Sequence, residues 1–365
     1  MDSALLLITE QVRTAAAAGS ALRIRGGGSK DFYGEPAAGE MLDTRPLSGI
    51  TSYEPSELVV TVRAGTPLAE LEAVLSERGQ CLPFEPPHFE GGATVGGMVA
   101  SGLSGPARAS VGAVRDYVLG VTLLNGRAEL LTFGGQVIKN VAGYDVSRLM
   151  CGAMGTLGLI TAVSLKVLPL APAEATLKFA MDQAEALAQL NRWGGQPLPL
   201  NASCWVDDGN TPTLYLRLRG AVAAVEAACK SLGGERQDNA DAAPDWTLCR
   251  DQQLPWFQAR GTRDLWRLSV PQTAPVLELP EPPLVEWHGG LRWVRAAPED
   301  AEGLRAAAAA VDGNATLFIA DGARLTGAGG RFDALKPPLD RIHCQLKNEF
   351  DPAGIFNLGR MYPDF

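Results

Sequence analysis

The sequence has 365 residues, 46% of them hydrophobic, more than one ordinary core requires and suited to two domains. Its formal net charge is −9 and no Lys/Arg cluster builds a basic face, which excludes a nucleic-acid partner. No window is apolar over enough residues to span a bilayer, so no direct membrane insertion is expected.

The opening Met1-Asp2-Ser3-Ala4-Leu5 has an acidic start and only a short apolar stretch, and is expected to begin a helix over 4–18 rather than an export signal. Residues 21–25 read as a strand entering the loop Arg25-Gly26-Gly27-Gly28-Ser29. A Val-rich strand over 58–63 leads to a helix from 66 to about 78, with Thr66 as N-cap and Pro67 at the first helical position. A second glycine loop follows, Gly92-Ala93-Thr94-Val95-Gly96-Gly97, inside a stretch (91–106) without one charged residue, as expected of a segment buried against an apolar ligand surface. Strands over 117–124 and 127–133 flank Asn125-Gly126, the preferred pair for a type I′ hairpin turn. The third glycine segment, Gly152-Ala153-Met154-Gly155-Thr156-Leu157-Gly158, precedes a strand over 159–168 that Pro169 ends.

After Pro172 glycine thins out. Strand-like runs (176–180, 213–218, 265–270, 291–295, 316–320) alternate with Ala-rich helices (182–193, 221–232, 298–311), the order of an antiparallel sheet with helices on one face. Residues 238–244 and the proline-rich 271–283 read as loops, 333–350 as a last helix, and 351–360 as a tail of specific composition. The expected organisation is residues 1–172, 173–330 and 331–365.

Glycine lets bare main-chain N–H groups approach a phosphate or a flat ring, and three such segments in order suit one extended ligand of dinucleotide size. Neither G-x-G-x-x-G at a strand-to-helix turn nor G-x-x-x-x-G-K-[ST] is present, so a standard NAD or ATP site is disfavoured. The six cysteines, Cys81, Cys151, Cys204, Cys229, Cys249 and Cys344, show no C-x-x-C spacing and are expected to be reduced and mostly buried, with no Fe–S cluster. His88, His288 and His343 are isolated, so no metal site is expected.

These residues carry a family resemblance. The first glycine loop, Pro87-His88-Phe89-Glu90-Gly91-Gly92-Ala93-Thr94-Val95-Gly96-Gly97, Gly112-Ala113-Val114-Arg115-Asp116-Tyr117-Val118-Leu119-Gly120 and Gly155-Thr156-Leu157-Gly158-Leu159-Ile160-Thr161 together resemble the FAD-binding domain of the vanillyl-alcohol-oxidase (PCMH) type. Gly135-Gln136-Val137-Ile138-Lys139-Asn140-Val141-Ala142-Gly143-Tyr144-Asp145, Arg148-Leu149-Met150-Cys151-Gly152, Phe350-Asp351-Pro352 and Asn357-Leu358-Gly359-Arg360-Met361-Tyr362 extend the likeness to the FAD-binding subunits of bacterial glycolate oxidase complexes.

The resemblance implies an α+β fold: a two-subdomain FAD-binding domain followed by a smaller antiparallel-sheet α+β domain, with the C-terminal helix and tail returning towards the flavin. It implies FAD contacts from Arg25, Gly26, Gly27, Gly28, Ser29, Thr94, Val95, Gly96 and Gly97 around the pyrophosphate, from Ser101, Gly102 and Asp116 on the flavin side, from Gly155, Gly158 and Ile160 at the adenosine end, and from Arg360. The first loop has no histidine, so FAD is expected to be held noncovalently. Arg292, Arg360 and Lys347 are candidates to hold a substrate carboxylate, with structural ion pairing as the commoner role for such residues; no catalytic residue is assigned. The implied function is a cytoplasmic subunit that passes electrons from glycolate, or another 2-hydroxy acid, to a non-NAD acceptor. A paralogous FAD-containing subunit and an Fe–S subunit are the implied partners, and contact with the inner membrane face would run through the complex. A self-sufficient FAD dehydrogenase and a non-catalytic relay or structural subunit are the alternatives. The tryptophans Trp246, Trp256, Trp266, Trp287 and Trp293 are open to two readings, docking anchors or core.

Overall fold

A computed structural model describes residues 2–89, 91–135, 144–207, 209, 211–321, 330–363 and 365. The first helix, Ser3–Ala18, starts where the Asp2 carboxylate accepts a hydrogen bond from Ala4 N and stops at Gly19, whose φ of 62° lets the chain turn away. Ile8, Val12 and Ala15 form its buried stripe. They cover a parallel pair, Leu22–Arg25 with Glu40–Asp43, which the C-terminal tail extends: Leu22 N donates to Ile355 O at 2.7 Å and Asn357 N to Leu22 O at 3.0 Å.

Among the described residues a five-stranded antiparallel sheet follows, ordered Ile50–Glu54, Val59–Arg63, Leu159–Lys166, Val118–Leu124, Leu130–Gly134. Its core joins Val60, Val62, Leu123 and Val163 to Leu68, Leu71 and Leu75 of the helix Leu68–Ser76 and to Met98 and Val99 of the helix Val95–Ser101. Two local expectations change. The helix begins at Leu68 with Pro67 at the cap; Thr66 does not cap it, because its hydroxyl accepts from Gly49 N at 2.9 Å. The hairpin is not a two-residue turn. Asn125 N donates to Glu129 O at 3.1 Å, Ala128 N donates to Asn125 O at 3.0 Å, and Ala128 sits at φ 59°, a three-residue loop with a left-handed third residue. Gly126 is there for space, since a Cβ would lie 2.8 Å from Asp351 Cα.

The later half forms an eight-stranded antiparallel sheet among the described residues, in the order Glu235–Gln237, Ala173–Ala180, Thr213–Gly220, Leu200–Val206, Leu284–Glu286, Leu291–Ala296, Asp264–Ser269, Asn314–Ile319. One face packs Ala175, Leu177, Leu214 and Leu216 against the helices Gln183–Gly194 and Val222–Leu232, and Leu268 and Val294 against Ala301–Ala309. The opposite face, through Ala202, Cys204, Trp287, Trp293 and Phe318, meets Tyr33, Leu103 and Met154 of the five-stranded half. Trp287 Nε1 donates across this contact to Gly105 O at 2.9 Å. The expectation of helices on one face only is corrected: Asn239–Arg250 is a helix on the opposite face, where a loop over 238–244 was expected. It tolerates Pro244 because Asp238 caps its start and Ala242, Trp246 and Cys249 bury a 4,3-spaced stripe.

The last helix is shorter than expected, Leu339–Phe350, since Pro337 and Pro338 cannot continue a helix towards residue 333. All five tryptophans named above are buried core residues. All six cysteines are free; Cys204 and Cys249 are buried, while Cys344 is exposed, against the expectation of mostly buried thiols.

Candidate cofactor site

After Arg25 the first glycine loop runs so close to the second that a Cβ on Gly27 would stand 1.4 Å from Gly92 O, so no other residue fits. The loop spends few of its own donors. Among the described residues the N–H groups of Gly26, Gly27, Gly28, Ser29 and Lys30 donate to no carbonyl and no side chain. Consecutive free N–H groups on the wall of a depression make an anion-binding nest. Here they border an open cleft with an inner volume of about 230 Å³.

The second glycine loop contributes a wall rather than donors. Val95 N donates to Thr66 O at 3.0 Å, Gly96 N to Ala64 O at 2.7 Å and Gly97 N to Thr94 Oγ1 at 3.3 Å, so these groups are already engaged. A third wall comes from Met154, Gly155, Gly158 and Ile160, and a fourth from the tail. Asn357 fastens them together: its Oδ1 accepts from Ile24 N at 2.8 Å and its Nδ2 donates to Met154 O at 2.7 Å. Arg360 donates to Glu35 O at 2.9 Å and to Lys30 O and Asp31 O at 3.2 Å, fixing the far side of the first loop.

The cleft is electropositive. Among the described residues Arg23, Arg25, Lys30 and Arg360 line it against one carboxylate, Asp31, which Arg25 Nε meets at 2.7 Å. Burial pushes the Lys30 ammonium down to about 8, and it stands 5.3 Å above the Phe89 ring. An anion in the cleft would meet both the free N–H run and a poorly solvated cation.

The structure brings together Arg25, Gly26, Gly27, Gly28, Ser29, Thr94, Gly96, Gly97, Ser101, Gly155, Gly158, Ile160 and Arg360 in this one cleft. Three expected contacts lie elsewhere. Val95 is wholly buried in the core, Gly102 ends the helix Val95–Ser101 at φ 64°, and Asp116 caps its own short turn by accepting from Ala113 N at 2.8 Å. Lys30, Met154 and Asn357 were missed, although Lys30 directly follows the first loop and Asn357 sits in the distinctive tail. The likeness over 135–145 and at Glu90 falls largely on residues outside the described ones.

Two carboxylate candidates are corrected. Arg292 is buried on the helix-covered face, donating to Gly289 O and, at 3.3 Å, to Ala274 O. Lys347 donates to Thr156 O and Asp351 Oδ2 at 2.7 Å and to Phe356 O at 2.9 Å, a buried clamp on the tail. His288 is held between Ser203 Oγ, 3.1 Å from Nδ1, and Ser110 Oγ, 2.8 Å from Nε2; burial drives its pKa down to about 4. Among the described residues no three His, Cys, Asp or Glu side chains gather where a metal ion would be held.

Residues 8–134 match the FAD binding domain family. The chain is 46% identical over 357 residues to the glycolate oxidase subunit GlcE of Escherichia coli (strain K12), covering 98% of this chain and 97% of that protein. This chain belongs to the GlcE family. Over 151 residues it is also similar to a second glycolate oxidase subunit, GlcD of Bacillus subtilis (strain 168), at 28% identity, 41% of this chain and 32% of that one. The GlcE-family fold extends further: an alkyldihydroxyacetonephosphate synthase structure superimposes with a TM-score of 0.65 at 16% identity, over 96% of this chain and 73% of the other, a likeness of fold alone. The architecture is thus the α+β one that the family resemblance implied.

Proposed function

We propose that this chain is the FAD-binding subunit of a glycolate (2-hydroxy-acid) oxidising complex that passes electrons to a non-NAD acceptor. The observation that carries it is the run of five N–H groups, Gly26 to Lys30, that are free among the described residues and stand on an electropositive cleft. That wall fits a dinucleotide diphosphate, with Lys30 and Arg360 adding charge beside it. Bound FAD would accept the two electrons of hydroxy-acid oxidation. Residues 1–172 are assigned to holding it, 173–330 to covering it, and 331–365 to closing the cleft through Asn357 and Arg360. With no histidine in the first loop, FAD is held noncovalently.

A paralogous FAD-containing subunit and an Fe–S subunit complete the complex. The partial similarity to GlcD supports a paralogous partner. A relay role, in which the hydroxy acid reacts on the partner, is favoured by one observation: His288, the one histidine of the eight-stranded half, is tied between two serines and kept neutral. Among the described residues no helix is long and apolar enough to cross a membrane; contact of this subunit with the inner membrane face would run through the complex.

The test is purification of the chain alone and with its partners, with absorption spectra before and after glycolate. The lone chain is expected to be yellow, to release intact FAD on acid precipitation, and to reduce dye with glycolate slowly compared with the complex. Rapid turnover by the chain alone would replace the subunit reading with the self-sufficient dehydrogenase. A colourless chain that cannot be reconstituted with FAD would remove the flavin assignment itself.

A further inference from the structure

Lys30 closes the run of free N–H groups, and among the described residues it differs from the other cations on the cleft. Arg25 is paired with Asp31 at 2.7 Å, Arg360 is spent on the carbonyls of Lys30, Asp31 and Glu35, and Arg23 stands exposed, where water and salt screen it. Lys30 lines the same wall with no ion pair among the described residues. Its contacts are neutral: Nζ donates to Ser29 Oγ, on the loop itself, at 3.3 Å, and stands 5.3 Å from the centre of the Phe89 ring.

The carboxylate whose charge acts on it is Asp251, just past the helix Asn239–Arg250, and that carboxylate is already engaged by Arg250 Nη2 and by the main-chain N–H of His88, each at 2.7 Å. Burial therefore outweighs Asp251 and leaves the ammonium at about 8, well below an ordinary lysine. A charge so placed is costly while the cleft is empty of anions. Once an anion arrives it acts at full strength, because little water lies between the two.

We propose that Lys30 is a proton-dependent latch on the cofactor: its ammonium holds the diphosphate of FAD against the free N–H run, and losing its proton in mildly alkaline solution loosens that hold. The inference rests on the reading that this cleft takes FAD, and adds what regulates retention there. Linkage fixes the sign. The anion binds the charged form, so above the lysine's own value binding must first restore a proton, and affinity falls as pH rises. The other charged groups on the elements around Lys30 do not compete in this range: the guanidiniums of Arg23, Arg25 and Arg360 and the carboxylates of Asp31 and Asp251 keep one charge from pH 7 to pH 9. Burial moves the Tyr33 phenol further up, and His88 turns Nε2 to Glu72, 2.7 Å away.

The test titrates FAD into the full chain stripped of its flavin, by calorimetry from pH 7 to pH 9 in buffers of different ionisation heat. The parent is expected to bind about tenfold more weakly at pH 9 than at pH 7, and at pH 8.5 to take up about three-quarters of a proton per FAD bound. Lys30→Arg keeps the charge throughout and is expected to bind tightly at both values with no proton uptake. Lys30→Met keeps the stem without the charge, and is expected to bind about tenfold more weakly at pH 7, with the slope and the uptake both gone. A parent affinity that is flat over this range, or a fall that persists in Lys30→Arg and so belongs to the flavin ring, would overturn the latch and leave the FAD site standing. No FAD binding at any pH would remove the site and the latch together. Should Lys30→Arg no longer bind, proton uptake by the parent set against Lys30→Met decides the matter.

Discussion

Gly96 and Gly97 are neighbours on one helical turn and have different reasons to lack a side chain. A Cβ on Gly96 would press to 2.7 Å from Ala64 Cβ, inside the core, while one on Gly97 meets only Thr94 Oγ1 at 3.2 Å beside the cleft. Gly97→Val is therefore expected to lose FAD with unfolding stability within about 1 kcal/mol of the parent, whereas Gly96→Val loses about 1–3 kcal/mol through overpacking. Flavin-to-protein absorbance and urea unfolding of both variants check this split; equal loss of stability in the two would refute it. His288 makes a prediction about pH. Its ordinary value of 6.5 falls to about 4 on burial, so between those values the unfolded chain binds a proton that the folded chain refuses. Stability accordingly drops as pH falls from 6.5 towards 4, on the order of 2 kcal/mol between pH 7 and pH 5. His288→Asn is expected to flatten that slope in urea titrations at the two pH values. At this scale the sequence was legible where a residue's need is local, as with Gly27 and Gly28. It was not legible where the need is remote: Asp116 and Lys347 look like ligands in sequence, and only the fold reveals their main-chain partners.

Between the two large sheets the contact is sealed by a charged knot on adjoining elements. Glu85 accepts from Arg217 Nη2 at 2.6 and 2.7 Å, from Arg219 Nη1 at 2.8 Å and from Ala107 N at 3.2 Å, and Arg219 also reaches Glu174. Burial alone would raise the Glu85 carboxyl, and the two guanidiniums overcome it and hold it below the ordinary value. Removing one member of a buried pair strands the other, so Glu85→Ala is expected to cost about 3–5 kcal/mol. Thermal and urea unfolding measure it; a loss below about 1 kcal/mol would mean that water reaches the knot. Elements with a clear period, such as the first helix and the strand Val59–Arg63, were legible from the sequence alone. Two others were hidden by turn chemistry. Pro244 and its Asp/Asn neighbours mimic a loop, and Asn125-Gly126 mimics a tight hairpin, because propensity carries no information about the Trp246 stripe or the approach of Asp351.

For the molecule as a whole, the ordered glycine segments pointed to one extended ligand, and the fold itself was legible only through the family resemblance that those segments carry. The path of the eight-stranded sheet was less legible: the strands Leu200–Val206 and Leu284–Glu286 are short or interrupted by polar residues and carry no period of their own. The tail was marked as special without its task being visible. That task is to finish the cofactor cleft. Ile355 and Phe356 are fully buried against the first helix, and Asn357 spans the first strand and the third glycine segment. A chain ending at Phe350 is expected to lose FAD and become insoluble or protease-sensitive, and limited proteolysis with flavin quantification measures that outcome; a yellow, compact truncated chain would contradict it. The same geometry sets an order of events during synthesis. The segment that completes the binding wall follows both large sheets in the chain, so a nascent polypeptide that has exposed its glycine loops still lacks the Asn357 and Arg360 side of the cleft. Flavin capture is therefore expected to wait for the tail, however early the loops emerge.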